Sequence, residues 1–182
     1  MIDYILCRIN TVWLRLKLSF LGVRIEWGKN VRITGSFSVK GEGLVIIGDN
    51  VRIYGTGHPV TPFTHSKDAI IRIGKNCFLN GTRFGCANSI EIGDDCILAD
   101  TRIMDTDFHP VDPVSRLNNG PCKVGKVVLG NNVWVGAGSF ILRDTHIGSG
   151  SVIGAGAVVS GQYTDNELII GNPAKVVKSL KA

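Results

Sequence analysis

Between Leu129 and Ser160 the chain repeats itself every six residues. Units open on Leu129, Val135, Ile141, Ile147, Ile153 and Val159, and Gly130, Gly136, Gly148 and Gly154 follow four of them. The fifth place holds Val133, Ser139, Thr145, Ser151 and Ala157, all small or β-branched. This period excludes most folds. A helix places apolar residues three and four apart and a half-buried strand alternates at two, so six fits neither as one continuous element. It fits short extended pieces turned at Gly or Asn, with their inward positions stacked in a solenoid. One such unit cannot bury its apolar face alone, so neighbours above and below supply the stability. A parallel β-helix satisfies this with ladder hydrogen bonds between successive coils.

The period reaches back to Trp27 in weaker form and strengthens at IGDNVR (47–52), IGKNCF (73–78), IGDDCI (92–97) and LADTRI (98–103). Gly and Asn or Asp in these units supply turns with positive φ at low cost. The 23 glycines are spread along the repeats, which argues for many tight turns and against a flexible linker. Two stretches break the period. GTGHPVTPFTHSKD (55–68) is rich in Gly, Pro and Thr and reads as a loop. The break at 104–126 is longer, and an insertion projecting from a regular scaffold is most often functional.

Residues 2–22 carry Ile5, Ile9, Val12, Trp13, Leu16 and Phe20 at helical spacing, with Arg8, Arg15 and Lys17 between them. Gly22 suits the helix C-cap. The run is too interrupted for a transmembrane span or a signal peptide. Two readings stand: a helix covering the end of the solenoid, and a basic amphipathic helix touching a membrane surface. The expected organisation is an all-β chain: an N-terminal amphipathic helix or cap over 1–24, a solenoid over 25–164 with loops 55–68 and 104–126, and a tail over 165–182 formed by a strand and a short C-terminal helix. Five cysteines (Cys7, Cys77, Cys86, Cys96, Cys122) without a C-x-x-C pair read as reduced structural thiols in a cytosolic protein. A net charge of +5 permits an anionic small molecule, an acidic glycan or a membrane surface as partner. No aromatic-basic patch supports a nucleic-acid partner.

Four further stretches make the chain resemble the hexapeptide-repeat acyltransferases, in particular the maltose, galactoside and nodulation acetyltransferase branch. These are FHPVDPVSR (108–116), FLN (78–80), NNVWVGAG (131–138) and GNPAKVVK (171–178). The N-terminal helix and the 55–68 stretch look more like the transferases of bacterial surface-polysaccharide assembly. The resemblance implies a left-handed parallel β-helix, a homotrimer with active sites between neighbouring subunits, and acetyl-CoA as acyl donor. It implies His109 as catalytic base and Asn80 as a group holding the acceptor hydroxyl. Trp134 and Gly136 would line the cleft, and the Ala137 N–H would point at the thioester oxygen. Ala155 and Ser160 would contact coenzyme A, and Lys175 and Lys178 would meet its phosphates. Ala137, Ala155 and Ser160 would form one wall of the coenzyme tunnel. Gly161 departs from the pattern, where a basic or polar residue is frequent.

Acyl transfer from a thioester to an alcohol needs a base for the hydroxyl proton, a donor for the oxyanion, and both substrates held together. Histidine suits the first role. Asp105, Asp107 and Asp112 compete as the group that orients the imidazole, as do backbone carbonyls. The expected activity is acetyl transfer to a sugar hydroxyl in surface-polysaccharide synthesis, in the cytoplasm or at the inner face of the membrane. Transfer to the amine of an amino-sugar nucleotide is the alternative within the class. A non-catalytic solenoid scaffold and a zinc-dependent lyase stand outside it. The spacing of His58, His65 and His146 does not match a zinc pattern, so no metal is expected; His58 and His65 could instead shape the acceptor site.

Overall fold

The computed structural model describes residues 2–180, with side chains from residue 8 onward. The chain winds into a left-handed parallel β-helix of triangular section. Face A has seven strands, Ile25–Trp27, Leu44–Ile47, Ile70–Ile73, Ser89–Ile92, Lys126–Leu129, Thr145–Ile147 and Gln162–Tyr163, each hydrogen-bonded to the next. Face B runs through Phe78–Asn80, Ile97–Ala99, Trp134–Val135, Val152–Ile153 and Glu167–Gly171. Face C runs through Arg83–Cys86, Arg102–Met104, Phe140–Ile141 and Val158–Val159. In-register pairing stacks Ile53, Leu79, Leu98, Val135, Ile153 and Ile169 into one buried ladder. Burying each such side chain contributes roughly 1.5–3 kcal/mol.

The corner between faces A and B explains the I-G-[DK]-[ND] units. Asn30, Asn50, Asn76, Asp95 and Asn132 turn the chain at positive φ of 54–60°. Their side chains form a ladder, Asn30 to Asn50 at 3.2 Å, Asn50 to Asn76 at 3.0 Å and Asn76 to Asp95 at 2.9 Å. Glycine precedes them because the next coil lies against it: a Cβ on Gly74 would stand 2.5 Å from the backbone of Gly93. Two demands on one corner, a left-handed turn and close stacking, select the residue types.

The N-terminal helix Ile2–Phe20 caps the first coil. Thr11, Leu14 and Leu18 are buried, the Asn10 amide donates to the Ile33 carbonyl and Arg15 donates to the Gly28 carbonyl. Gly22 ends the helix at φ 67°, as expected. Its opposite side leaves Ile9, Trp13, Leu16 and Phe20 exposed, Phe20 at 92%. Ile5 and Cys7 lie outside the described side chains. Among the described residues, no helix is long and apolar enough to cross a membrane. Cys77, Cys86 and Cys96 are buried free thiols.

Two expectations are corrected. Most of the 55–68 stretch is not a loop: Arg52–Thr64 is one extended strand that leaves face B and enters face C, pairing Thr61–Thr64 with Arg83–Cys86. Proline removes a donor but keeps its carbonyl. Pro62 still accepts from Lys40 N–H, while Thr61 and Thr64 donate to neighbouring coils. Two corners depart from the period: residues 55–60 widen the B–C corner, and 65–69 turn toward face A in six steps from Thr64 to Ile70 where the next coil takes three. The short C-terminal helix is instead the strand Ala174–Ser179, antiparallel to Glu167–Gly171. It covers the open edge of the last coil, an edge that would otherwise present unpaired backbone groups, and Val176 and Val177 favour a strand there. Residues 181 and 182 lie outside the described part.

Candidate active site

Six of the expected site residues fall on two different edges of face C. Asn80, Gly136, Ala137 and Ala155 lie at the corner where the chain passes from face B to face C. Asp100 N–H donates to the Asn80 carbonyl at 2.6 Å, Gly138 N–H to Asp100 at 3.1 Å, and Gly156 N–H to Ala137 at 2.9 Å, so this edge is a continuous column. His109 and Ser160 lie at the opposite edge, where the chain leaves face C for face A. Within one chain the structure therefore does not bring His109 together with Asn80 and Ala137. Nor do Ala137, Ala155 and Ser160 form one wall, because the strand Val158–Val159 separates Ala155 from Ser160.

The 104–126 insertion is a built loop. At its root Asp105 is fully buried and accepts from Ala87 N–H at 2.7 Å and Asn88 N–H at 2.8 Å. The Cys86 thiol, its pKa pushed up by burial and by Asp105, donates to the same carboxylate at 3.3 Å. Asp107 accepts from Arg143 Nε at 2.8 Å. Asp112 caps the helix Pro113–Leu117 by accepting from Ser115 N–H at 2.7 Å. All three candidate orienting carboxylates are thus engaged elsewhere. Phe108, at φ 60°, lays its ring over Gly85 and against His65, whose ring lies 4.9 Å from it and 4.0 Å from Phe63. Burial lowers the His65 pKa, and Asp105 opposes the shift. His109 follows Phe108 and is exposed, its N–H donating to the Asp107 carbonyl at 2.7 Å. Among the described residues its imidazole has no hydrogen-bond or ion-pair partner.

Trp134 projects from the outer side of face B, 53% exposed, between the registered neighbours Ile97 and Val152. Beside it the B–C edge is bare: a Cβ on Gly138 or Gly156 would meet nothing within 4 Å. The Ala137 N–H has no acceptor among the described residues. Lys175 and Lys178 are exposed on the final strand, paired with Ile170 and Leu168. His58, His65 and His146 stand apart, at the B–C corner, on face C and on face A; among the described residues no cluster of three or more metal-ligating side chains occurs.

His58 is a candidate acceptor-site residue from the sequence, but its partners on the B–C edge are not singled out there. His58 Nδ1 lies 3.0 Å from Asp100 Oδ1, and Arg83 Nη2 lies 3.5 Å from the same oxygen. Arg102 stands in register with Arg83 one coil on. The signal was present as a repeated Thr-Arg-apolar triplet, 82–84 and 101–103.

Comparison with known proteins places this geometry. A model of the bacterial transferase hexapeptide, six repeats, matches residues 126–161, and one of the hexapeptide repeat of succinyl-transferase matches residues 70–99. The galactoside O-acetyltransferase of Lactococcus lactis is 31% identical over 136 residues, covering 63% of this chain and 65% of that protein. A protein of Escherichia coli K12, provisionally named the lipopolysaccharide biosynthesis O-acetyl transferase WbbJ, is 37% identical over 99 residues, half of each chain. The chain spans about half the length of the first curated relatives it matches. Among solved structures, AntD, an N-acyltransferase from Bacillus cereus in complex with dTDP and 3-hydroxybutyryl-CoA, superposes with a TM-score of 0.68 at 26% identity, covering 92% of this chain and 88% of that one. Coils, corners and matches agree: the chain carries hexapeptide repeats and is similar to the hexapeptide-repeat transferases.

Proposed function

We propose that this protein transfers an acetyl group from acetyl-CoA to a sugar hydroxyl in surface-polysaccharide synthesis. The observation that carries the reading is the division of the site between the two edges of face C. An N–H without an acceptor and an open shelf of small residues stand on one edge, and an unengaged imidazole on a rigid loop stands on the other. Side by side, two copies would close these edges into one cleft, which supports a homotrimer. Acetyl-CoA supplies an already activated thioester, so no covalent acyl-enzyme is needed. His109 takes the acceptor hydroxyl proton as the oxygen attacks the carbonyl carbon. Ala137 N–H donates to the oxyanion, and Asn80 holds the acceptor. As the C–S bond breaks, the imidazolium returns its proton to the departing thiolate. Trp134, Gly136, Ala155, Ser160, Lys175 and Lys178 would hold the coenzyme.

Thiol release from acetyl-CoA with a panel of sugars tests this reading. His109→Ala should lower the rate at least about a hundredfold; an unchanged rate sinks the base. Mixing His109→Ala with Asn80→Ala subunits should restore up to about a quarter of the activity, because some interfaces then combine two intact edges. No recovery would place the site within one subunit. The AntD likeness supports a second reading, transfer to the amine of an amino-sugar nucleotide; amino and hydroxy sugar nucleotides compared as acceptors decide between them.

The exposed stripe Ile9, Trp13, Leu16 and Phe20 supports contact with the cytoplasmic face of a membrane. Residues 1–32 carry six cations (Arg8, Arg15, Lys17, Arg24, Lys29, Arg32) against Asp3 and Glu26, a difference of four from a whole-chain net charge of +5. A basic helix with an apolar stripe binds anionic interfaces. The protein should float with vesicles containing phosphatidylglycerol, and Leu16→Asp should abolish this. Equal flotation of both proteins refutes the contact.

A further inference from the structure

The B–C edge holds a cleft of about 170 Å³ lined by Arg83, Asp100, Arg102, Gly138, Ser139 and Phe140. Arg83 and Arg102 are directly opposed in neighbouring strands, and both face outward because Phe84 and Ile103 are buried. Like charges opposed across a ladder are destabilising, so the pair needs a counter-charge. The only carboxylate lining the cleft is Asp100, whose Oδ1 is shared between His58 and Arg83. Arg83 Nε is buried without a hydrogen-bond partner, and a buried donor left unmet costs stability unless something fills it. The Arg102 guanidinium rests over the Phe140 ring, 5.7 Å from its centroid, which fixes its direction without neutralising it.

We infer that this cleft binds an anionic group of the acceptor, a phosphate or a carboxylate, which planar guanidinium groups recognise in paired fashion. The inference rests on the transferase reading and adds the acceptor's charge to it. The position fits. Asp100 is joined by backbone hydrogen bonds to Asn80 above and Gly138 below, so a sugar tethered by its anion in the cleft lies along the edge that carries Asn80 and Ala137. The two sources are the diphosphate of a nucleotide-activated sugar and the carboxylate of a uronic acid.

Calorimetric titration of the full chain with inorganic diphosphate, with glucuronate and with glucose tests the cleft, since it does not depend on turnover. One anion per subunit should bind and glucose should not; diphosphate binding assigns the nucleotide source, glucuronate binding the uronate. Arg83→Gln and Arg102→Gln should each weaken the anion at least about tenfold, and Arg83→Lys should restore part of the loss. Coenzyme A affinity should be unchanged in these variants; an equal loss would make the cleft part of the coenzyme site and overturn the inference. So would no anion binding, or binding unaffected by both substitutions. A changed oligomeric state by light scattering with anion binding intact would make the arginines interface residues, again against the inference. If thiol release with neutral sugars persists while no anion binds, the inference fails and the transferase reading stands.

Discussion

Asp105 is the side chain on which the whole 104–126 loop depends, and its removal should be measurable as stability. Its carboxylate is fully buried and satisfies the N–H groups of Ala87 and Asn88 at 2.7 and 2.8 Å. A hydrogen bond to a charged group contributes about 1.5–3 kcal/mol net, so Asp105→Ala should cost about 3–6 kcal/mol. Ala87 and Asn88 are only partly buried in these bonds, so water can enter and relieve some of the loss. The lower end, about 3 kcal/mol, is therefore expected, or about 6–12 °C in Tm for a chain of this size. Asp105→Asn keeps one accepting oxygen and turns an amide N–H toward the other donor, so it should lose a substantial part of this but less than alanine. Urea unfolding followed by circular dichroism, at one protein concentration, measures both. Limited proteolysis should show cleavage within 106–124 accelerating in the same order. A loss under about 1 kcal/mol for Asp105→Ala, or an asparagine variant as damaged as alanine, would refute the anchoring role.

Three other outcomes follow from the geometry. Asn76→Ala removes two side-chain ladder bonds and puts a Cβ-bearing residue without a polar side chain at φ 58°, so it should cost about 1–3 kcal/mol; Asn76→Gly should cost less, and equal losses by denaturant titration would rule out backbone strain. Gly85→Val would place a Cβ 2.6 Å from the Phe108 ring and push the loop outward; thiol release should fall at least about tenfold while the melting temperature changes little, and an unaffected rate would detach Phe108 from the chemistry. His65, with its pKa lowered by burial, binds fewer protons folded than unfolded, so its contribution is fully present above about pH 6.5 and is lost as pH falls from there through the lowered folded value. Between pH 7 and 5 the wild type should lose more thermal stability than His65→Gln; parallel curves would show that the aromatic pocket does not disfavour the charged imidazole.

The fold was legible wherever one position carried two demands. Asn50 and Asn76 must both turn at positive φ and bond to the next coil, and Gly48 and Gly74 must let backbone approach, so few residue types survive there and the motif is written plainly. Arg52–Thr64 was misread because Gly and Pro were counted as breakers, whereas Pro62 keeps the carbonyl its ladder uses. The final strand was misread because its conformation is imposed by the open edge of the last coil, which no local pattern in AKVVKS records. The site divides in the same way. His109 stood out because it interrupts a period, but a period of six says only which residues point inward. Counting faces is what separates the edges: from Asn80 the chain turns directly into Arg83–Cys86, whereas it must cross Arg102–Met104 before it reaches His109. Asp105, Asp107 and Asp112 look equivalent in sequence, and only their partners, two backbone amides, Arg143 and a helix cap, remove them from the imidazole. An imidazole that none of its own loop's carboxylates holds must be oriented by backbone, by substrate or, in the proposed trimer, by the adjoining subunit. That is why the mixed-subunit experiment tests the arrangement of this site more sharply than any single substitution.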